Sequence, residues 1–379
     1  MLLPGDVEAW SVTDPDLIRR LLAHKHISKD AARHWPAYIR DEIPKDWPLR
    51  IWADVRNALS AYADEHRRLR RPLAAAFAPR RVRALEQKIR EVTHALLDGL
   101  EAQDTGGVVD IRGRLAWRLP LLIVNTMLGV PEGMHDEFRD AVGQLFNTNL
   151  SPADAKAARV KVYALIDTLI QYKQLHPADD VTSALIKAHN EGQISKTELA
   201  DSFVLLLGAG HETTVNLLHW GFINLLTHPD QLAAVLAGQV SWEQVVEETL
   251  RHQAPLASIL PRFPTQDVID DESGITFAAG ELILINYAAA GRDPHTHGDD
   301  AELFNLHRAT SDEHLAFGHG AHFCPGAELA RLEARIALEA FFTRFPKTKL
   351  EIPPEQLTPL SSLISNGHTE LPVTLGTGT

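Results

Sequence analysis

The sequence predicts one domain, residues 1–379, built mostly from helices. Helix-forming stretches run without proline for up to roughly thirty residues, and the 22 prolines are dispersed along the chain. No Gly/Ser-rich or Pro-rich linker, low-complexity tract or internal repeat divides it. A chain of 379 residues would suit two or three domains on length alone, but single domains of this size exist and bury a large core.

The longest predicted helix follows Ser195. Ser195 and Glu198 have the spacing of a capping box, and Pro229 stands just past the far end with no proline between. At 1.5 Å per residue, a helix of roughly thirty residues is about 45 Å long, enough to cross a whole domain. We therefore expect it to be the central helix of the fold.

The middle of this helix has a composition that helix interiors usually avoid. Gly210, Glu212 and Thr213 are small or polar, whereas the flanking residues are apolar. Each glycine costs about 1 kcal/mol relative to alanine, and a broken local rule inside a strong element often marks a functional site. Close packing of another helix would explain the glycines but not the adjacent acid and alcohol. Val215 replaces the second histidine of the zinc motif HExxH, which argues against zinc hydrolysis.

A second capped helix is predicted in SWEQVVEETLRHQAP. Ser241 and Gln244 suit a capping box, and Glu248 and Arg251 stand three apart on one helix face. Ion pairs of this kind occur in many helices, and each pair on the surface stabilises the folded protein by only about 0.5 kcal/mol. The pair is therefore a weak functional signal by itself.

The single cysteine lies in a glycine-rich loop, FGHGAHFCPG, at residues 317–326. Gly318, Gly320 and Gly326 allow the loop to curl without Cβ clashes. The following run, GAELARLEARIALEAFF, predicts a helix, so Cys324 lies near its positive end, where the pKa of a thiol is lowered. A lone cysteine is more often a small buried apolar residue. The alternative is that its sulfur binds a metal.

The string FGHGAHFCPGAELAR resembles the haem loop of the cytochrome P450 family, Phe-Gly-x-Gly-x-His-x-Cys-x-Gly followed by Leu-Ala-Arg. The resemblance implies a fold that is mainly α with small β-sheets (α+β), a single triangular haem-thiolate monooxygenase domain with a long central helix. It implies haem b (iron protoporphyrin IX) as cofactor, with Cys324 as the iron ligand in a loop shaped by Gly318 and Gly326. It also implies that Phe317 shields the sulfur and that His322 lies near a haem propionate.

Further strings follow in the order that this family shows. AGHETT, residues 209–214, resembles the oxygen-binding groove, which implies that O2 binds beside Gly210 and that Glu212 and Thr213 deliver protons. Burying the haem propionates requires nearby cations or donors. The resemblance assigns that role to His66, Arg70, Arg262 and His322.

The string ETLR resembles the Glu-x-x-Arg pair of the family, which implies that Glu248 and Arg251 brace the core behind the haem loop. The usual third partner is an arginine at the position that Leu303 occupies here. Arg308 and His307 are both candidates to replace it, and the sequence does not choose between them.

The resemblance implies a monooxygenase that inserts one oxygen atom of O2 into a C–H bond of a hydrophobic small molecule. A natural product, polyketide or steroid-like compound is the expected substrate, in contact with residues 35–52, 145–150, 254–259 and 362–364. No dinucleotide or P-loop motif occurs, so electrons are expected from a ferredoxin and its reductase. A peroxygenase, a haem sensor and a non-catalytic helper protein are the competing interpretations. Glu212 and Thr213 argue against the first, and together with Cys324 they argue against the other two.

The charge of the chain restricts its partners. A formal net charge of −13 argues against nucleic acid, which requires a basic surface. One segment, the basic island, is an exception with a single acid, Glu86, among nine basic residues: Arg67, Arg68, Arg70, Arg71, Arg80, Arg81, Arg83, Lys88 and Arg90. The island is either a solvated helix face or a docking site for an acidic partner. The resemblance favours a docked ferredoxin.

One cysteine excludes an internal disulfide framework and predicts a reducing compartment, the cytoplasm. The start of the chain, MLLPGDVEAW, is too short and too polar for a signal peptide or membrane anchor. We therefore expect no membrane association and prefer a monomer.

Overall fold

A computed structural model describes residues 1–102, 106–145 and 152–376. Helices dominate these ranges. They are α1 (Pro15–Ala23), α2 (Ala31–His34), α3 (Pro36–Ile39), α4 (Ile51–Asp54), α5 (Ala63–Ala76), α6 (Pro79–Ala84), α7 (Glu86–Ala102), α8 (Arg118–Leu128), α9 (His135–Leu145), α10 (Pro152–Leu175), α11 (Val181–Asn190), α12 (Lys196–Thr227), α13 (Pro229–Leu236), α14 (Trp242–His252), α15 (Tyr287–Ala290), α16 (Pro294–His297) and α17 (Ala327–Arg344).

Short strands form small sheets beside the helices. The strands are β1 (Leu2–Leu3), β2 (Val7–Glu8), β3 (Trp10–Val12), β4 (Ile27–Ser28), β5 (Val108–Asp110), β6 (Ser258–Pro264), β7 (Val268–Ile269), β8 (Thr276–Phe277), β9 (Ile283–Asn286), β10 (Lys349–Leu350) and β11 (Pro372–Thr374). The sheet orders are β3-β9-β6-β4, β10-β11-β5, β1-β2 and β7-β8. The prediction of a mainly α fold with small sheets is confirmed.

Helix α12 is the central helix, as predicted. Ser195 and Glu198 form the capping box, in which the Ser195 hydroxyl accepts from the Glu198 N–H and the Glu198 carboxylate accepts from the Ser195 N–H. The helix packs against α8, α14 and α17. At Gly221, an added Cβ would lie 2.8 Å from Cδ1 of Leu338, so glycine allows the close approach of α12 and α17.

Two strand pairings bring distant segments of the chain to the site. Ser28 pairs with Phe263 between β4 and β6, which places the following residue, Lys29, beside Arg262. In the sheet of β10, β11 and β5, Asp110 at the end of β5 pairs with Pro372 of β11.

None of the helices in the described ranges is long and apolar enough to cross a membrane.

Candidate active site

The cysteine loop is held in shape by its own backbone. Gly318 and Gly320 have positive φ angles of 72° and 69°, which favour glycine. At Gly320 a Cβ would also lie 2.6 Å from the backbone oxygen of Leu22. The Cys324 N–H donates to the Phe317 oxygen at 2.9 Å, which closes the loop and brings the two residues together. The structure therefore brings the backbone of Phe317 to Cys324, and the shielding of the sulfur by the Phe317 ring stays a prediction.

The surroundings of Cys324 partly contradict the predicted thiol chemistry. Helix α17 begins at Ala327 with Gly326 as its N-cap, so the cysteine does precede a helix start. Burial nevertheless raises the pKa of the Cys324 thiol, and the hydrogen bond from the Gly326 backbone and the charges of Arg70 and Arg331 oppose this with smaller effects. The predicted lowering of the thiol pKa by the protein chain is wrong, because desolvation of the thiolate outweighs the donors.

Side chains from α14 and α17 support the loop. The Arg331 guanidinium lies 4.6 Å from the centroid of the Phe317 ring. Its Nε donates to Glu247 Oε1 at 2.6 Å, and Glu247 Oε2 lies 3.1 Å from Nε2 of His314. These contacts fix the Phe317 ring from the outside of the loop.

Five basic side chains gather beside the cysteine loop, and we call them the cationic cluster: Lys29, His66, Arg70, Arg262 and His322. The His66 and His322 rings lie 4.0 Å apart, and Arg70 Nη2 donates to the Phe323 oxygen at 2.6 Å. Burial, together with the neighbouring positive charges, lowers the pKa of His66 to about 4.

Four members of the cationic cluster have no acidic partner among the described residues. Across the described ranges, no Asp or Glu forms an ion pair with His66, Arg70, Arg262 or His322. His66 Nε2 and Arg262 Nε are buried without a hydrogen-bond partner among the described residues. Burying positive charge without a partner is costly. The arrangement therefore fits an anionic ligand.

Lys29 belongs to this cluster although sequence reasoning missed it. Its side chain is only 2% exposed, and burial and the nearby Arg262 hold its pKa well below the ordinary lysine value. No motif marks Lys29, which stands in an ordinary polar string, ISKDA. The pairing of β4 with β6 brings Lys29 beside Arg262, and only the folded chain shows that this lysine is buried.

In the middle of α12, one face is accessible. Ala209 is exposed and Thr213 is partly exposed, although most residues along the rest of the helix are buried. Thr213 Oγ1 donates to the Ala209 oxygen at 2.7 Å. Glu212, one position earlier, is buried on a neighbouring face, where Arg112 and Asn216 contact it. The predicted acid and alcohol are thus close in sequence but lie on different faces.

Gly210 has a packing role that the sequence left open. A Cβ at this position would lie 3.1 Å from Cγ2 of Val124 on α8. The glycine therefore allows α8 to approach α12 closely, which is the alternative interpretation of the helix glycines. That O2 binds beside Gly210 stays a prediction.

The family profile named Cytochrome P450 matches residues 153–237 and 242–368. The chain belongs to the cytochrome P450 family. The match spans both the α12 string and the cysteine loop, and it confirms the resemblance inferred from those motifs. The protein is accordingly an oxygen-incorporating oxidoreductase, and its cofactor is haem b.

Several relatives of this P450 come from Streptomyces. The chain is 37% identical to 2-hydroxy-5-methyl-1-naphthoate 7-hydroxylase of Streptomyces carzinostaticus, over 98% of this chain and 90% of that protein. CYP154A1 of Streptomyces coelicolor A3(2) superposes with a TM-score of 0.91 at 46% identity, covering 97% of this chain and 92% of that one. Testosterone-bound CYP154C4 of Streptomyces sp. ATCC 11861 superposes with a TM-score of 0.94 at 36% identity, covering 99% and 92%.

The residues of this P450 fit haem b. Haem carries two propionate carboxylates, and the cationic cluster offers the buried Arg262 and the half-buried Arg70 as positive charges that pair with no acid among the described residues, with the His66 and His322 rings as neighbouring hydrogen-bonding groups. His322, a member of the cluster, stands two residues before the only cysteine. One loop thus carries both a sulfur donor and a basic group, as a thiolate-bound haem requires.

The bracing network of this P450 is complete, with an arginine at an unusual position. Arg251 donates to both carboxylate oxygens of Glu248 at 2.8 and 2.7 Å, and both side chains are fully buried. Arg308 is the third partner, with its Nε 3.5 Å from Glu248 Oε1, whereas His307 is exposed. Of the two candidates that the sequence left open, the structure therefore favours Arg308.

Three of the four segments expected to contact substrate meet in one apolar cluster. Trp35 and Trp47 from residues 35–52 pack there with Leu256 and Ile364 from the other two. The Trp35 ring also stacks on Phe263 of β6, with centroids 5.3 Å apart. Of residues 145–150, only the first, at the end of α9, lies within the described ranges.

Proposed function

We propose that this P450 hydroxylates a hydrophobic natural product or steroid-like compound, with the Cys324 thiolate as the axial ligand of haem b. The observation that carries the proposal is the cationic cluster around His322 on the loop of the only cysteine. His66, Arg70, Arg262 and His322 would hold the propionates. Residues 1–379 would act as one domain.

Haem, when bound, supplies O2 activation and oxygen transfer to a C–H bond. The residues of α12 would supply protons and place water. Because the Thr213 hydroxyl uses its proton on the Ala209 oxygen, its lone pairs can accept a hydrogen bond from water. Glu212 would exchange its proton with that water, and O2 would lie beside Gly210.

The apolar cluster and the names of the relatives support the substrate class. Trp35 and Ile364 contribute buried aromatic and aliphatic side chains to this cluster, and Leu256 packs against it partly exposed. Among the relatives, one is named for a methylated naphthoate and another was solved with testosterone bound. Both compounds are rigid and multi-ringed, so we propose a rigid polycyclic or macrocyclic substrate.

An acidic ferredoxin is the proposed electron donor. Four members of the basic island are neutralised within the chain, because they form ion pairs with acids: Arg67, Arg68, Arg81 and Arg90. The exposed Arg71, Arg80, Arg83 and Lys88 form no ion pair within the described ranges. The bond from Arg70 to the Phe323 oxygen joins the island to the cysteine loop. The proposed docking face therefore contains fewer unpaired basic residues than the sequence indicates.

The monomeric state of the protein stays a prediction.

The function can be tested with the purified holoprotein, a surrogate ferredoxin and reductase, and isotopically labelled O2. Polycyclic and macrocyclic compounds that shift the haem spectrum from low to high spin would serve as substrates. We expect the alcohol product to contain one labelled oxygen atom. Products whose oxygen derives from water, or turnover that requires peroxide and not O2, would contradict the proposal.

Replacing Lys29 with methionine is expected to weaken haem retention about tenfold or more, because a charge-assisted hydrogen bond contributes about 1.5–3 kcal/mol. Methionine keeps most of the buried volume but removes the charge beside Arg262. The measurement is the rate of haem transfer from the holoprotein to an excess of a haem-scavenging protein. Lys25→Met, at an exposed lysine four residues earlier, is the matched control. Equal rates for the two variants would contradict a role for Lys29.

A further inference from the structure

A wide helical turn between β5 and α8 carries an arginine into the interior. The turn, Arg112–Ala116, is a π-helix, a rare form that is frequent at functional sites. Asp110 fixes its start, since Oδ1 accepts from the Arg112 N–H at 3.0 Å and Oδ2 from the Gly113 N–H at 3.1 Å. The Leu371 N–H also donates to Asp110 Oδ1 at 2.8 Å. No motif in the sequence marks Arg112.

The Arg112 side chain closes a triangle with two residues of α12. Its Nη1 donates to Asn216 Oδ1 at 2.9 Å, and its Nη2 lies 3.4 Å from Glu212 Oε1. Asn216 Nδ2 donates to the same Glu212 oxygen at 3.3 Å. All three side chains are buried. The spacing of Glu212 and Asn216, four residues apart, puts them on one helix face.

The two carboxylate oxygens of Glu212 therefore differ. Oε1 faces both donors, whereas no group among the described residues donates to Oε2. Oε2 is also not among the buried polar atoms that lack a partner, so it is accessible to a water molecule. One oxygen is anchored and the other is open to proton exchange.

A loop near the C-terminus packs at Gly367 against Asn216 and Arg112. A Cβ at Gly367 would lie 2.6 Å from Asn216 Oδ1 and 3.5 Å from Arg112 Nη1, so glycine is required for this contact. The next residue, His368, has its Nδ1 2.8 Å from Nε2 of His219 on α12. Any larger residue at position 367 would displace the amide that holds Glu212.

We propose that Arg112 and Asn216 are positioning residues for the hydroxylation, which anchor Oε1 of Glu212 so that Oε2 is the atom that takes up and releases the proton. The inference rests on the proposed function, since it assigns the proton step of that site. In this step the O–H bond at Oε2 breaks as its proton passes to the water near Thr213, that water releases one of its own protons to the next acceptor in the site, and a proton from bulk solvent restores the O–H bond at Oε2. No electron moves.

The charges around Glu212 set the direction of the expected change. Burial raises the pKa of Glu212, and the Arg112 charge and the Asn216 hydrogen bond lower it. Burial lowers the pKa of His219 and His368, which leaves both neutral near pH 7, and the Asp110 charge acts on Arg112 and is not among the groups that shift the pKa of Glu212. Arg112 is thus the positive charge that faces the carboxylate. Without it, Glu212 holds its proton to a higher pH.

The test is an infrared titration of the Glu212 carboxyl in resting holoprotein, with its band assigned by Glu212→Gln. In Arg112→Gln we expect the midpoint to rise by about one pH unit or more. Arg112→Lys keeps the positive charge but not the two parallel N–H donors of the guanidinium, and its midpoint should lie close to that of the parent protein. Arg118→Gln, at an exposed arginine on α8, is the matched control and should leave it unchanged.

A second measurement separates positioning from charge alone. In steady-state turnover, both Arg112 variants are expected to form less product per electron consumed, with normal haem content. An unchanged midpoint in Arg112→Gln, or an equal shift in Arg118→Gln, would overturn the inference even if hydroxylation itself is established. If Arg112→Gln does not fold, an Arg112→Lys protein with wild-type coupling would overturn it. The titration does not need turnover, so a missing activity would count only against the proposed function.

Discussion

Cys324→Ala is expected to abolish the thiolate-type spectrum of the reduced, carbon monoxide-bound protein and to reduce hydroxylation below detection. The cationic cluster remains in this variant, so some haem would still bind, but without the sulfur that favours cleavage of the O–O bond. The chain has no other cysteine that could replace the ligand or form a disulfide. The measurements are the optical spectrum, haem content and product formation.

Ala321→Ser is the matched control for the cysteine variant, because it changes an exposed residue of the same loop by one oxygen atom. We expect its spectrum and turnover to equal those of the parent protein. Far-ultraviolet circular dichroism should show the same helix content in both variants. A Cys324→Ala holoprotein with unchanged spectrum and turnover would refute the assignment of the iron ligand.

Glu248→Gln is expected to lower the free energy of unfolding by about 3–5 kcal/mol, the cost of breaking a buried ion pair by removing one partner. Glu248 accepts from Arg251 through both oxygens and lies 3.5 Å from Arg308 Nε. The variant would leave the buried Arg251 guanidinium without a carboxylate, and Arg308 would keep only its pair with Asp300. Because domains have only about 5–15 kcal/mol of stability, the protein should become marginal. Urea denaturation followed by circular dichroism measures the effect.

Asp16→Asn is the matched control for the bracing network. It also removes an acid from an ion pair with i,i+3 spacing, that of Asp16 and Arg19, but the aspartate there is 73% exposed. Exposed pairs contribute about 0–1 kcal/mol. If Glu248→Gln lowered the free energy of unfolding as little as Asp16→Asn does, the network would not brace the core.

The local features of this P450 could be predicted from its sequence. The capping box at Ser195, the long helix and the glycine loop around Cys324 depend on residues near one another in the chain. Their physical causes, cap hydrogen bonds and glycine backbone freedom, are local as well. The order of the motifs then sufficed to indicate the family and the haem.

The contacts that decide the chemistry of the site depended on tertiary structure. Arg308 completes the bracing network in place of the expected residue, because the chain around it folds back toward α14. Arg112 reaches Glu212 across 100 residues of sequence. Residue type and spacing left Arg308 and His307 equally open and did not mark Arg112, since many arginines of the chain are exposed on its surface.

The family and the cofactor follow from the sequence alone, because the motifs that indicate them are continuous strings. The pKa values of the site residues and their contacts depend on the tertiary structure. Burial raises the pKa of Cys324 and Glu212 and lowers that of Lys29, and desolvation depends on what packs around a group from distant parts of the chain. A linear pattern carries no measure of that packing, so only the folded chain shows it.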